Sequence, residues 1–245
     1  MTTNQHDQDH RLPRLAPVAG LLFDPGNRPT RADLAALAQS CGSFGVVPHD
    51  HAAGEAELSG DGLRFECAGL APAPRLQIAR ALDAIGLPDG FALADQALVT
   101  LAPGAYLGGS AQALPVVRVL GALLLELAAL RGLRAIAWLP AGLAMSPAWC
   151  GEAVGKWLAG GPFPALALTA LTRTEHGFAS RGLAFFTGQE FVFAGPQSSA
   201  RGALRLTDWL VAHGRVESAC TAELTGFGTV LVEPDGAGRV IARAV

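Results

Sequence analysis

Charged residues are scarce in this sequence of 245 residues: they make up 16% of the chain, and a single lysine, Lys156, is among them. Eighteen basic residues against 21 acidic ones leave a formal net charge of −3. A dedicated nucleic-acid-binding protein carries a basic excess or a basic stripe, so we predict no nucleic-acid partner. The same balance excludes a polybasic membrane anchor. Half of the residues are apolar, which is enough for a large core and excludes disorder of the whole chain.

Close cysteine pairs are also absent. The four cysteines, Cys41, Cys67, Cys150 and Cys220, are widely spaced, and no two form a Cys-x-x-Cys pair. Zinc ribbons and thioredoxin-like redox sites need that pairing because two thiolates must converge on one atom. We therefore predict a reduced, cytoplasmic protein. Cys41 and Cys150 lie on the apolar faces of predicted helices, so we expect both to be core residues and not reactive thiols.

The sequence shows neither a secretory signal nor a membrane span. Its first residues are polar and lack the apolar stretch of a signal peptide, so we predict a mobile tail over residues 1–14. The apolar stretch Leu114–Leu130 is interrupted by Arg118 and Glu126. A charge near the middle of a span costs about 2.5–3.5 kcal/mol. The stretch therefore predicts a helix buried in a core, and we predict no membrane partner.

Motifs of familiar enzyme and nucleotide sites are missing. Residues 226–228 (Gly-Phe-Gly) lack the third glycine of a dinucleotide-binding fingerprint, and residues 104–109 lack the Gly-Lys-Ser/Thr ending of a phosphate loop. Neither Gly-x-Ser-x-Gly nor His-Glu-x-x-His occurs. We accordingly predict no cofactor.

The alternation of apolar runs and turn residues predicts an α+β fold, with mixed and antiparallel sheets, several hairpins and about five packed helices. Helices are expected at 30–42, 74–86, 114–130, 146–160 and 199–213. Strands are expected at 15–23, 44–47, 55–58, 63–67, 97–101, 135–139, 165–172, 182–186, 190–193, 226–232 and 239–242. We expect one domain over residues 15–245; the alternative is a pair of lobes that meet near residues 90–112.

Polar residues concentrate around two turns of the second half of the chain. The candidate binding residues there are Arg173, Glu175, His176, Arg181, Gln189 and Glu190. Glu175 and His176 would serve as an acid–base pair if a cleft lay beside them. The alternative, which the usual polarity of turns favours, is an exposed loop. Arg181 directly precedes a predicted apolar strand and is expected to form an exposed ion pair with Glu190 across the hairpin.

The most metal-like cluster is His49-Asp50-His51. Residues two apart on an extended backbone project to the same side, so the two imidazoles would share one ion with a third ligand from elsewhere. The alternative is a solvated loop after Pro48, and because turn formers surround the cluster we favour it. We predict no metal site.

The segment 172–190, TRTEHGFASRGLAFFTGQE, carries an Arg-Gly-Leu step, two aromatic residues and then Gly-Gln-Glu before an apolar strand. It resembles a bacterial family of unknown function, domain of unknown function 4261. Residues 71–74 (Ala-Pro-Ala-Pro), the strand that carries Trp138, and His213-Gly214 before a hairpin follow the family's order, so that the resemblance extends over residues 15–245. It implies this architecture in a bacterial cytoplasmic protein, without a known activity. Residues 218–221 (Ser-Ala-Cys-Thr) depart from the acidic turn expected there.

Two functional hypotheses follow. The first is a non-catalytic protein-binding or accessory module, which the resemblance links to secretion or toxin-protection systems. It depends on the missing catalytic constellations and on hairpin edges that can pair with a partner strand. The alternative is a small-molecule enzyme with an acid–base site around the 173–190 hairpins. Partner identity and oligomeric state are left open.

Overall fold

The computed structural model of the chain describes residues 13–48, 52–78 and 81–245, and these residues build an α+β fold on two mixed sheets, which confirms the predicted class. The helices are α1 (Arg31–Cys41), α2 (Leu114–Leu127), α3 (Pro147–Leu158), α4 (Ala165–Leu168), α5 (Ala184–Thr187) and α6 (Ala200–His213). The helices α4 and α5 are single turns, so four longer helices stand where about five were predicted. None of the helices in the described part of the chain combines the length and the apolar character needed to cross a bilayer.

The larger sheet has eight strands in the order β2-β3-β4-β6-β1-β7-β8-β5, and among its described strands β5 and β8 alone pair in parallel. Its strands are β1 (Ala19–Phe23), β2 (Gly45–Val46), β3 (Glu55–Gly60), β4 (Leu63–Ala68), β5 (Asp83–Ile85), β6 (Ala97–Pro103), β7 (Leu133–Trp138) and β8 (Leu143–Met145). Residues 90–112, where the alternative placed the meeting of two lobes, include β6, which lies inside this sheet. The change to the second sheet falls between Met145 and Ala170.

The smaller sheet has six strands in the order β12-β13-β14-β11-β10-β9, with β11 parallel to β14. Its strands are β9 (Ala170–Thr174), β10 (Gly177–Arg181), β11 (Glu190–Ala194), β12 (Cys220–Leu224), β13 (Gly228–Pro234) and β14 (Arg239–Ala244). The strands β5, β8, β10 and β12 were not predicted. Each is short or interrupted by polar residues, so its own sequence gives little indication of a strand. Hydrogen bonds to a neighbouring strand stabilise the extended conformation.

The helix starts follow the capping chemistry that the sequence indicates. At α1, the Thr30 hydroxyl accepts a hydrogen bond from the amide of Asp33 at 3.2 Å, and the Asp33 carboxylate accepts one from the amide of Thr30 at 2.7 Å. Gly42 ends α1 with a φ of 71°, which a residue without a Cβ adopts freely. Ser146 caps α3 and Ser199 caps α6 in the same way, each accepting from an amide three residues on.

The two faces of the larger sheet are covered differently. On one face, Leu21 and Val99 pack in the main core with Val117 and Leu120 of α2 and with residues of α3. On the other face, Leu22, Leu98, Ala135 and Ala144 form a small cluster beneath a partly buried group comprising Ile78, Leu82, Leu87, Phe91 and Leu93. The described part of this second layer is mostly irregular, apart from β5 and a 3₁₀ turn at Leu93–Asp95, and it leaves part of the face uncovered.

The helix predicted over residues 74–86 is wrong. Residues 74–78 and 81–82 are irregular, and Asp83–Ile85 is the strand β5, which pairs with Leu143–Met145. The spacing of Ile78, Leu82 and Ile85 fits one face of a helix. The first two of these side chains instead contact the second face of the larger sheet from irregular chain, and β8 satisfies the backbone of β5.

Two strand predictions are also corrected. The chain over 165–172 begins as the helical turn α4 and becomes β9 only at Ala170. The chain over 182–186 leaves β10 at Gly182, which has a φ of 89°, and enters the helical turn α5. A Cβ on Gly182 would lie 2.6 Å from Cα of Ala141, so this glycine also allows the two sheets to approach each other.

The two sheets contain the same order of strands and helices along the chain, and the hydrophobic periodicity of the sequence does not predict this similarity. A strand, a capped helix and a three-strand meander follow one another in β1-α1-β2-β3-β4 and again in β11-α6-β12-β13-β14. In the smaller sheet the last of these strands pairs in parallel with the first. In the larger sheet β4 is also parallel to β1, because β6 lies between them and is antiparallel to both.

The predicted tail lies mostly outside the described residues, which begin at Pro13. Arg14 is held in place, since its guanidinium contacts Glu55 at 2.6 Å and Glu66 at 3.3 Å. His49, Asp50 and His51 lie outside the described residues as well.

Candidate functional site

The six candidate residues of the 173–190 segment lie at two separate ends of one hairpin. Gly177 is the register partner of Ala194, so Glu175 and His176 are at the turn end, whereas Arg181 and Glu190 are at the opposite end. Four residues of strand separate these ends, a distance of about 13 Å. The structure therefore does not bring His176 and Glu190 together.

The turn end of the hairpin is open to solvent. Glu175 and His176 are exposed, and their carboxylate and imidazole approach each other only to 3.9 Å. Arg173 lies over the ring of Phe178 at 6.0 Å. Together with Ser198, these residues border a hollow of about 400 Å³ with a largely polar lining. Among the residues that the structure describes, no buried side chain positions the Glu175–His176 pair, so the arrangement is that of an exposed turn.

Arg181 joins the two sheets, in contrast to the ion pair predicted for it. Its guanidinium forms an ion pair with Asp83 of β5, and its Nε donates a hydrogen bond to the carbonyl of Ala141 at 2.7 Å. The predicted pairing with Glu190 is wrong. Backbone amides bind the Glu190 carboxylate instead of Arg181. The actual partner, Asp83, is 98 residues earlier in the chain and lies beside Arg181 only in the folded protein.

Glu190 is occupied by the chain that turns into α5. Its carboxylate accepts hydrogen bonds from the amides of Gly182 at 2.6 Å, Leu183 at 3.2 Å and Ala184 at 3.1 Å. The hydroxyl of Ser180 donates a fourth at 2.6 Å. These contacts satisfy the amides at the start of a helical turn, which explains why the predicted strand does not form there.

Gln189 is buried, and its side chain forms hydrogen bonds that stabilise the fold. Its side-chain amide donates to the carbonyl of Val216 at 3.0 Å, and its side-chain oxygen accepts from the amide of Val216 at 2.8 Å. This two-way contact ties the start of β11 to the segment that follows α6. Arg181, Gln189 and Glu190 thus have structural contacts that account for their polar groups.

A different feature offers a binding site, namely a cleft of about 620 Å³ on the uncovered part of the larger sheet. Pockets that bind small ligands commonly have volumes of about 300–1,000 Å³. Leu98 and Thr100 of β6 contribute to it from the sheet. The remaining lining residues come from several parts of the chain and are Leu15, Ala16, Pro17, Val18, Gln77, Ile78, Pro103, Gly108, Ala111, Gln112, Leu139, Pro140 and Phe185.

The lining of this cleft is mostly apolar and contains no ionisable side chain among the described residues. Its polar side chains are those of Gln77, Thr100 and Gln112. None of the three has a hydrogen-bond partner within the described ranges of the chain, and Gln77 and Gln112 are exposed. Each can both donate and accept a hydrogen bond. The cleft therefore offers an apolar surface with neutral hydrogen-bonding groups available to a ligand.

Aromatic packing fixes one wall of the cleft. The ring of Phe185, in α5, contacts Trp138 edge-on at 5.4 Å, and the neighbouring Phe186 stacks on the same indole at 6.2 Å. Because Glu190 and Gly182 determine the turn into α5, they also determine where Phe185 stands. The smaller sheet thus contributes to a site whose floor belongs to the larger one.

Sequence reasoning missed this cleft because its lining comes from segments far apart along the chain. One signal points to it. The strand β6 reads Ala-Leu-Val-Thr-Leu-Ala-Pro, and Thr100 is its only polar residue. A central strand covered on both faces is apolar throughout, so a single hydroxyl marks the position where the cover is incomplete.

All four cysteines are free: Cys67 and Cys150 are buried, Cys41 is exposed, and Cys220 is partly buried. Burial raises the pKa of Cys67 and of Cys150 to about 12, and the core position predicted for Cys150 is confirmed. The core position predicted for Cys41 is wrong, because its side chain lies on the exposed last turn of α1. The Ser43 hydroxyl donates to Sγ of Cys41 at 3.3 Å and lowers the pKa of this thiol.

Comparison of the chain with protein-family models, with curated proteins and with solved structures finds no match.

Proposed function

We propose that this protein is a non-catalytic binding module, and that the cleft beside Thr100 takes an uncharged, apolar segment of a partner protein. The observation that carries the proposal is the lining itself, which is apolar and has three neutral polar side chains without partners among the described residues. A charged ligand would lose its hydration in such a cleft without gaining a counter-charge.

The absence of ionisable groups from the described lining favours binding over acid–base chemistry. General acid–base catalysis requires a titratable side chain within hydrogen-bonding reach of the reacting atoms, about 2.6–3.2 Å away. The side chains of Thr100, Gln77 and Gln112 do not ionise near neutral pH, so none of them can act as a general acid or base. The candidate pair Glu175–His176 belongs to the exposed turn and does not line the cleft.

A peptide segment suits the polar groups at this site. Each peptide unit presents one donor and one acceptor, which the side-chain amides of Gln77 and Gln112 can each engage. Apolar side chains of the segment would replace water on the surface formed by Leu15, Leu98 and Phe185. An apolar centre with a polar rim is the common arrangement of protein interfaces.

A neutral apolar dye tests whether the cleft binds such ligands. Nile red should bind saturably with an increase in fluorescence, and Ala111→Trp should abolish this binding because the indole fills the cleft. The control is Ala36→Trp, which places the same side chain on the exposed surface of α1. Absent binding, or an equal effect of both variants, would count against the cleft.

Photo-crosslinking tests the nature of the natural ligand. A benzoylphenylalanine at position 112 should form an adduct in an extract of the source cells, and mass spectrometry should identify the captured segment as apolar and uncharged. The same group at exposed Gln39 is the control. Capture of a charged segment, or identical adducts at both positions, contradicts the proposal. A neutral small molecule bound in place of a protein segment would retain the cleft and refute the proposed partner.

The family and the cellular location belong to this proposal as well. The sequence of the 172–190 segment, and the strand with Trp138 that follows the apolar helix α2, are the basis on which we propose membership in the family of domain of unknown function 4261. The four free thiols support a reduced, cytoplasmic setting.

A further inference from the structure

A second groove, of about 520 Å³, lies between α3 and α6 and has α4 as its floor. Its apolar surface includes Trp149, Phe163, Leu166 and Leu204. Leu166 is 45% exposed, which makes it one of the few large apolar side chains in the described chain that water reaches so freely. An apolar strip of this kind, bordered by polar residues, is typical of an interaction surface.

The rim of this groove is basic although the chain as a whole is acidic. Lys156 of α3 stands on one side, and Arg201 and Arg205 of α6 stand on the other. Asp208 is the only carboxylate among the described lining residues, and it is paired with Arg205 at 3.5 Å. Three cations against one anion give the lining a formal charge of +2, whereas the whole chain carries −3.

The basic groups remain available to a ligand. Arg201 is exposed and has no carboxylate partner in the described part of the chain. Within the described ranges Lys156 pairs only with Glu152, four residues earlier on α3, and both side chains are about two-thirds exposed. Exposed pairs of this kind are weak and exchange readily with water or with another carboxylate.

We propose that this groove binds an acidic amphipathic helix of a partner protein. Arg201 and Arg205 are one helical turn apart, so acidic side chains at positions i and i+4 of a helix lying along α6 would face them. The apolar face of the same helix would cover Leu166 and Trp149. Helix-in-groove recognition uses this combination of an apolar stripe with flanking charges.

The test uses calorimetric titration of the full chain with a synthetic helix of 14 residues, the length of α6. The probe carries leucines on one face and glutamates on its flanks, and its counterpart has lysine at every glutamate position. The acidic peptide should bind and the basic one should not. Raising the salt from about 50 mM to about 500 mM NaCl should weaken binding severalfold, because the rim charges are exposed to screening.

Matched variants locate the binding site. Arg201→Glu should weaken binding of the acidic peptide about tenfold or more. Arg173→Glu makes the same charge change on the exposed edge of the smaller sheet, and it should change the affinity less than about twofold. Leu166→Ser should also weaken binding, and because this residue is exposed the variant should fold normally. Ala111→Trp, which fills the other cleft, should have no effect, so that failure of one proposal does not decide the other.

Four outcomes would overturn the inference. The first is absence of heat with the acidic peptide, and the second is an equal loss in Arg201→Glu and Arg173→Glu. The third is binding to vesicles of anionic phosphatidylserine without binding to the peptide, which would make the groove a lipid site. The fourth is a concentration-dependent dimer in sedimentation that Arg201→Glu dissociates, because the occupant would then be a second copy of this chain.

Discussion

Arg181, the last residue of β10 in the smaller sheet, is ion-paired with Asp83, the first residue of an edge strand in the larger sheet. The same guanidinium donates through Nε to the carbonyl of Ala141 in the turn between β7 and β8. Gly182, the next residue, packs against Ala141 closely enough to leave no space for a Cβ. One side chain and one glycine thus set how the two sheets meet, and through α5 they set a wall of the cleft.

The contributions of these two contacts should differ. Both members of the Arg181–Asp83 pair are about half exposed or more, so Asp83→Ala should cost less than about 1 kcal/mol of unfolding free energy. Arg181→Ala also removes the partly buried hydrogen bond to Ala141 and should cost about 1–2 kcal/mol. Urea unfolding monitored by tryptophan fluorescence measures both. Equal costs would mean that the ion pair, and not the carbonyl contact, joins the sheets.

Arg181→Lys separates charge from geometry. A lysine keeps the positive charge near Asp83 but lacks the planar fork that reaches the carboxylate and the Ala141 carbonyl together. We expect its cost to be close to that of Arg181→Ala. As a control, Arg173→Ala removes an exposed arginine from the same sheet and should change the unfolding free energy by less than about 0.5 kcal/mol.

Glu190→Gln should destabilise the protein by about 2–3 kcal/mol, because hydrogen bonds from three amides and one hydroxyl to a carboxylate are stronger than those to a neutral amide. The new NH₂ group would also face donors. Glu175→Gln makes the same chemical change at an exposed turn and should cost less than about 0.5 kcal/mol. Because α5 carries Phe185, Glu190→Gln should in addition weaken Nile red binding in the cleft. A stable variant with unchanged dye binding would contradict this role.

The sequence predicted those parts of the fold in which local signals agree with the final contacts. The capped helices α1, α3 and α6 have a polar cap, a periodic apolar face and a glycine or similar stop within about fifteen residues of each other. The hairpin of β3 and β4 joins two segments of alternating polarity through a turn at Asp61 and Gly62. Both turn residues have a positive φ. Such elements carry their own boundary signals.

The errors occur where a distant residue decides the local structure. The segment around Ile78 and Leu82 has the spacing of a helix, but both of these residues lie in irregular chain and cover the second face of the larger sheet. The segment after Arg181 has the composition of a strand, but the Glu190 carboxylate turns it into α5. Both outcomes depend on contacts between elements, and periodicity contains no information about them.

The candidate site shows the same division. Polar residues near 173–190 were found because they are conspicuous in the sequence, yet three of them hold the fold and the others are exposed. The proposed cleft consists of ordinary apolar residues, and only its assembly in space distinguishes them. A concave apolar site of this kind is indicated in the sequence only by a weak signal, such as one polar residue, Thr100, in an apolar strand. Metal and nucleotide sites are indicated by recognisable motifs.

Trp157→Ala should cost about 3–5 kcal/mol, because this residue is 6% exposed and lies in the main core. Its ring also contacts Phe163 edge-on at 5.9 Å and lies under the Arg118 guanidinium at 4.8 Å. Removing the indole therefore leaves a cavity and takes away the aromatic face beneath the Arg118 guanidinium, which keeps its hydrogen bonds to the carbonyls of residues 157 and 158. Lys156→Ala, one residue earlier but on the exposed face of α3, should change the unfolding free energy by less than about 0.5 kcal/mol. A loss below about 1 kcal/mol in Trp157→Ala would place its ring outside the core.

The four thiols should differ in their reactivity toward iodoacetamide in the folded protein at about pH 7.5. Cys41 should react first, because it is exposed and the Ser43 hydroxyl lowers its pKa and so increases the thiolate fraction. Cys67 and Cys150, whose pKa burial raises to about 12, should react only after unfolding in urea. Ser43→Ala should slow the labelling of Cys41, since loss of the donated hydrogen bond raises its pKa, and the rate should recover as the pH increases. Peptide mapping by mass spectrometry assigns each site. Labelling of Cys150 in the folded protein at the rate of Cys41 would refute its burial on the inner face of α3.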